Sequence, residues 1–317
     1  MICAAEDTQR DADLARDGGP FILIGAQGAG DAVCLTGAVR DLHLAYPGKF
    51  QVYYRGMYPD ITRHSPYFMP GEPPTGTLRL VVGVHTRSYN EDCGHFATMW
   101  HPTLARAVGV PSIPVTRIGG DVQLSEREKY LIPPISSKPY WLVFAGGKND
   151  FTTKWWPTSH YQAVVDALSE RIQFVQCGHE DHRHPSLQNV INLVGKTGTR
   201  EMCQLMYHAH GLLGPVSFGM HLAAAVETPT KNRRAAVIIA GGREPVQFTQ
   251  YPGQRVLSKI GTLPCCGHGA CFKYKQGHDC AYGVHSGESL YAKCMMQTSP
   301  TEVIEAIEGY LRADGIN

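Results

Sequence analysis

The chain has 317 residues, 43% of them hydrophobic, with 34 Gly and 21 Pro, which describes a turn-rich folded protein and excludes disorder. At roughly 150 residues per domain that is about two domains. With 29 basic and 28 acidic residues the formal charge is +1, so no global field gathers nucleic acid or an anionic membrane.

The opening, residues 1–17, carries acidic residues and no apolar core, unlike a signal peptide, and reads as a tail. No apolar run approaches the roughly 18 residues of a membrane-spanning helix. A cytoplasmic protein without a membrane span is therefore expected. Phe21 to Gly25 is a continuous apolar run, the mark of a strand buried on both faces. It enters the turn Gly25-Ala-Gln-Gly28-Ala-Gly30-Asp31, and a helix is expected from Ala32 to Tyr46, stopped by Pro47-Gly48. Strands at Phe50 to Arg55 and Leu78 to Val84 complete a β-α-β order, which predicts a parallel sheet. The turn does not keep the GxGxxG spacing, and no acidic residue ends the second strand, so a dinucleotide fingerprint is rejected. Asp31, at the carboxyl end of the first strand, suits a general base on an acceptor, with Gly30 beside it. Spacing alone favours the other reading, a helix N-cap.

Cys93 to Val110 has helical spacing broken at Pro102, and His95 near its start is an acceptor-side candidate. Leu131 to Pro139 is Pro-rich and reads as a linker, which divides the chain into an N-terminal domain, 18–137, and a C-terminal domain, 138–317. The second half repeats the pattern: strands at Trp141 to Ala145, Ile172 to Cys177 and Val190 to Val194, with helices from Thr158 or Ser159 and from Thr199 to His208. Then comes Gly211 to Thr230, GLLGPVSFGMHLAAAVETPT, read as strand, loop through Ser217 and Gly219, and helix from about Met220. The unbonded amides of a helix start and its dipole suit a diphosphate, and His221 adds a donor there. Ala235 to Ala240 is a further strand, ending in the turn Gly241-Gly242-Arg243-Glu244-Pro245. A last helix, 300–313, begins on a capping box of Ser299 and Glu302.

Four blocks in order resemble the glycosyltransferase family 9 enzymes, the ADP-heptose heptosyltransferases: Gly30 to Gly48, Thr153-Lys154-Trp155-Trp156-Pro157, Leu193-Val-Gly-Lys196-Thr197, and GPVSFGMHLAAAVETPT. The resemblance implies an α/β GT-B fold of two Rossmann-like domains facing across a cleft. It implies an inverting transferase that moves a sugar, heptose first, from a nucleotide diphosphate to an acceptor hydroxyl. Asp31 would be the base, Thr153, Lys154 and His221 would meet the donor phosphates, and Lys196 and Thr197 would line the nucleotide pocket. Ser217, Gly219, Met220 and Glu244 complete the donor-side set. The sequence departs from the family where the family's Asp, Thr and Gly are Val216, Ser217 and Phe218, which bears on the identity of the sugar. No DxD motif is seen, so no catalytic divalent cation is expected.

Ten cysteines are present, and five fall within residues 262–296. Cys266, Cys271, Cys280 and Cys294, with Cys265 able to replace Cys266, make a set of four thiolates for one structural Fe or Zn. A Cys-rich, iron-binding insertion of similar position and kind is known in the autotransporter heptosyltransferases. The other reading is free or disulfide-linked cysteines. The acceptor is expected to be a glycan, a protein or a small molecule, with DNA disfavoured by the lack of a basic patch, and a homo-oligomer is compatible with the sequence. Two rival functions remain: a sugar-nucleotide-binding subunit without catalysis, and an epimerase of GT-B type, which would need no acceptor.

Overall fold

The structure, a computed structural model, describes residues 21–26, 28–74, 78–79, 94–130, 135, 138–230, 234–272, 277–287 and 289–316. These fall into two units, one within Met1–Glu128 with Ala225–Glu227, the other within Lys129–Ala224 with Thr228–Asn317. Of the expected linker, 131–134 and 136–137 lie outside the described residues, as do Val84, Cys93 and the first 20 residues.

In the first unit, β1 (Phe21–Ile24) pairs in parallel with β2 (Gln51–Tyr54) on one side and β3 (Leu78–Arg79) on the other. Between β1 and β2 runs α1 (Ala29–Ala45), whose residues from Ala32 to Leu42 are all buried. A helix covered on every side must satisfy any charge it carries internally. The Asp41 carboxylate, fully buried, accepts from Arg40 Nε at 2.9 Å, from His101 Nε2 at 2.8 Å and from Thr116. Burial alone pushes that carboxyl up, but the hydrogen bonds from His101, Arg40 and Thr116 and the Arg40 charge outweigh it and hold it well below the usual carboxylate range. His101 lies on α2 (Trp100–Ala107), which Pro102 does not break: it sits in the first turn, where an amide would have no partner. A short α3 (Glu126–Tyr130) follows.

The second unit holds a six-stranded parallel sheet in the order β6-β5-β4-β7-β8-β9. Its strands are β4 (Tyr140–Val143), β5 (Gln173–Gln176), β6 (Ile191–Asn192), β7 (Gly211–Pro215), β8 (Ala235–Gly241) and β9 (Gln254–Ser258). Counted from β4, that is 3-2-1-4-5-6, with the switch of direction between β4 and β7. Helices α4 (Thr158–Leu168), α5 (Thr199–His208), α6 (Phe218–Ala225) and α7 (Val246–Thr249) fall between strands. After β9 come the hairpin β10 (Gly283–Ser286) and β11 (Ser289–Ala292), then α8 (Lys293–Met296) and α9 (Pro300–Ala313). β4, β7 and β8 are buried along their whole length, as parallel strands covered on both faces must be. Val303, Ile307 and Leu311 of α9 join Tyr161, Val164 and Leu168 of α4 over Trp141, Phe174 and Val237. Ser299 caps α9 and Glu302 closes the capping box as the sequence indicated. The short helices α3, α7 and α8 and three strands escaped the sequence reading. β9 carries polar Gln254 and Arg255 at an edge, and the β10–β11 hairpin lies inside the cysteine segment. Among the described residues no helix is long and apolar enough to cross a membrane.

Replacing Asp41 by Ala strands the Arg40 guanidinium and the His101 ring in the interior and is expected to destabilise the protein by about 3–5 kcal/mol, read from urea denaturation. A carboxyl depressed by folding contributes stability above its unfolded value of about 3.9 and loses it as pH falls through the folded value, so Asp41→Ala should also flatten the acid limb of stability against pH.

Candidate functional site

In open parallel sheets the loops leaving the carboxyl ends at the switch point form the ligand crevice. Here those are the loop after β4, which contains the single turn Thr152–Lys154, the loop from β7 into α6, and the turn after β8. One side chain joins all three. Lys154 Nζ lies 2.8 Å from Glu244 Oε1 and 3.2 Å from the carbonyl oxygen of Val216. Glu244 is only 3% exposed, and its Oε1 also takes a bond from Arg243. Its other oxygen, Oε2, is buried with no hydrogen-bond partner among the described residues. The Phe151 ring stands under both cations, with Lys154 Nζ 5.3 Å and the Arg243 guanidinium 5.2 Å from its centroid. Two cations against one carboxylate leave a net positive charge, and the open carboxylate oxygen is an acceptor with room for a donor.

Helix α6 starts at Phe218, two residues before the expected Met220. The Met220 side chain is fully buried and its amide donates to the Ser217 carbonyl at 3.1 Å. The open amides of the first turn move back toward Phe218 and Gly219. Ser217 is half-buried at the bend, and a Cβ at Gly219 would come within 2.8 Å of the Phe144 ring, so only glycine lets the helix start rest there. His221 is 8% exposed and its Nδ1 stands 2.6 Å from Tyr251 Oη, ring edge to ring face. With the hydroxyl as donor, the imidazole proton sits on Nε2. Gln254 braces the same helix through a bond to the Met220 carbonyl. Neither Tyr251 nor Gln254 was singled out from the sequence, where the only signal is a Tyr-Pro-Gly turn.

The other sequence candidates are spread. Thr153 is 4% exposed, next to Lys154. Lys196 is exposed and donates to the Asn192 carbonyl, and the Thr197 hydroxyl is buried without a partner among the described residues. Both follow β6, at the sheet edge, two strands from β4. In the first unit Asp31 is half-buried in the first turn of α1, with Gly30 beside it. The N-cap is Gly28, without a side-chain cap bond, so Asp31 does not hold the capping position that its spacing favoured. His95 caps a single turn at Phe96–Thr98, its Nδ1 accepting from the Ala97 amide at 3.1 Å, which gives it a local structural task.

Cys265, Cys271, Cys280 and Cys294 line one cavity with Thr153 and Arg243. Cys265, the alternate in the expected set, takes in this lining the place given to Cys266. Cys266 is instead 1% exposed and its thiol faces the Leu263 and Lys259 carbonyls. Burial pushes the Cys294 thiol up to about 11, with Cys271, Cys280 and Cys265 adding to the rise. Among the described residues no three His, Cys, Asp or Glu side chains stand at metal-holding spacing. Cys34, Cys177 and Cys203 are core residues.

Residues 93–230 match the model of Glycosyltransferase family 9 (heptosyltransferase). No curated protein matches the chain in sequence. Among solved structures, the ADP-heptose LPS heptosyltransferase II of E. coli is similar at 15% identity and TM-score 0.59, over 94% of this chain and 100% of that one. A glycosyl transferase family 9 protein of Veillonella parvula is similar at 13% identity and TM-score 0.63, over 95% of this chain and 99% of that one. The iron-containing dodecameric glycosyltransferase TibC of enterotoxigenic E. coli is similar at 17% identity and TM-score 0.62, over 94% of this chain and 77% of that one. At these identities the likeness shows the fold.

Tyr251→Phe removes a buried hydroxyl from His221 Nδ1 and is expected to lower stability by about 1–2 kcal/mol, measured by chemical denaturation.

Proposed function

We propose that this chain, a family 9 glycosyltransferase, moves a sugar with inversion from a nucleotide diphosphate, ADP-heptose first, to an acceptor hydroxyl. The observation that carries the donor half is Lys154, held at the switch point by Glu244 and the Val216 carbonyl. The match of residues 93–230 to the family and a solved TibC complex with ADP-D-beta-D-heptose support the choice of donor.

In the proposed reaction the acceptor oxygen attacks the anomeric carbon and the bond from that carbon to the diphosphate oxygen breaks. Asp31 takes the acceptor's proton as that attack proceeds. Negative charge grows on the leaving diphosphate, and Lys154 with the first amides of α6 is placed to meet it, the task a divalent cation performs in other transferases. His221, its proton on Nε2, adds a donor to the same end of the helix. Glu244 Oε2 accepts from a hydroxyl of the donor. It thereby supplies a carboxylate at a site where the family's Asp is Val216. Lys196 and Thr197 are assigned to the nucleotide, and the acceptor remains within glycans, proteins and small molecules.

Thiolates are ligands of the kind a soft metal takes, and TibC is iron-containing, although the four cysteines that line this cavity do not stand at metal-holding spacing here. Cys265, Cys271, Cys280 and Cys294 would hold an iron or zinc ion, which would supply cross-linking rather than reaction chemistry.

The test is calorimetry with ADP. At about a hundred times its dissociation constant ADP should also raise stability by roughly 2.7 kcal/mol. Lys154→Ala should weaken ADP by about tenfold or more, the loss of a charge-assisted phosphate contact. Asp31→Ala should keep ADP affinity while release of ADP from ADP-heptose, over a panel of glycan, protein and small-molecule acceptors, falls at least about a hundredfold. ADP binding indifferent to Lys154→Ala would overturn the donor assignment, and turnover without any acceptor would favour an epimerase.

A further inference from the structure

The segment between β8 and β9 reaches the start of α6 with two side chains that the proposed reaction leaves unused. Tyr251 is 1% exposed, and Gln254, which opens β9, is 6% exposed. Both meet consecutive residues of the helix. The Tyr251 hydroxyl stands 2.6 Å from His221 Nδ1, with the two rings edge to face at 89° and 5.6 Å between centroids, while Gln254 Nε2 donates to the Met220 carbonyl at 2.9 Å. One turn thus holds the imidazole by its ring and the helix by its backbone.

That turn is itself fastened. The Gln254 amide donates to the Tyr251 carbonyl at 3.1 Å, and Gln250 Nε2 donates to the Gln254 carbonyl at 2.9 Å. Gly253, at φ +87°, takes the bend, and its carbonyl accepts from Tyr310 Oη of α9 at 2.8 Å. A ring buried on a turn closed from both sides keeps its rotamer.

Chemistry then sets the direction of the proton. A phenol ordinarily ionises at about pH 10 and a neutral imidazole N–H only far above that, so the phenol O–H is the better donor of the two and the imidazole nitrogen the better acceptor. Tyr251 therefore donates to Nδ1, and the ring proton stays on Nε2. The reverse tautomer would turn a lone pair on Nε2 toward phosphate oxygens and repel them.

We propose that Tyr251 is a positioning residue for the donor site: by donating to Nδ1 it fixes His221 in the tautomer whose Nε2–H meets the leaving diphosphate. The role rests on the donor-site reading above and adds to it the group that sets its imidazole. Tyr251 acts on the diphosphate only through His221.

The experiment reads the tautomer and the affinity separately. Nitrogen NMR of protein isotope-labelled in its imidazole rings reports which nitrogen is protonated, the His221 signals being those that vanish in His221→Ala. Calorimetry gives the ADP affinity of the wild type, Tyr251→Phe, His221→Ala and the double variant, at about pH 8.5, well above the ordinary imidazole value of about 6.5, and at a temperature where circular dichroism reports folded protein. Expected are a bare Nδ1 and a protonated Nε2 in the wild type, mixed tautomers in Tyr251→Phe, ADP weakened about fivefold by that change, and no further weakening when it is added to His221→Ala. If Tyr251→Phe leaves ADP affinity unchanged, or weakens it equally with and without His221, the hydroxyl is structural and the positioning role is overturned while the donor site stands. A proton on Nδ1 in the wild type, or a tautomer that Tyr251→Phe leaves unchanged, overturns it as well. ADP affinity that is absent, or indifferent to Lys154→Ala, overturns the donor site and the role of Tyr251 with it.

Discussion

The second unit depends on one ion pair, the Lys154 ammonium against the buried Glu244 carboxylate. A carboxylate this deep is costly to keep charged unless cations stay beside it, and here two do, Lys154 and Arg243. The cost has a structural return. To satisfy Glu244, Lys154 must cross from the loop after β4 to the turn after β8, and on the way it meets the Val216 carbonyl after β7. Three loops that share no sequence neighbourhood are so drawn to one point, with positive charge in excess and a carboxylate oxygen left over.

That point lies where it does because of strand order. The 3-2-1-4-5-6 sheet turns between β4 and β7, and the loops diverge there instead of covering one another. Lys154 has 22% of its side chain exposed while Glu244 has 4%, so the cation faces outward and the anion anchors it from behind. The arrangement is suited to an anion that brings hydroxyls with it, as a sugar nucleotide does.

The sequence showed the strands that are continuous apolar runs, since burial on both faces leaves its mark on every residue from Tyr140 to Val143 or from Ala235 to Gly241. It did not show β9, whose edge position tolerates Gln254 and Arg255, and it could not show sheet order, which rests on pairings between distant segments. Lys154 and the turn at Glu244 were legible as motif and turn, but their pairing was not, because 89 residues of chain lie between them. Cys265 and Cys266 are adjacent thiols on one tight turn, and only the fold decides which faces its fellows and which faces the Leu263 carbonyl. Tyr251 illustrates the same limit: its hydroxyl matters only because β8 and α6 bring His221 to it.

The most direct measurement is a crystal structure of the protein with ADP. The account predicts a diphosphate oxygen within hydrogen-bond distance of Lys154 Nζ, at the start of α6 and beside the turn carrying Glu244. A diphosphate bound away from Lys154, with the Lys154–Glu244 pair undisturbed, would contradict it.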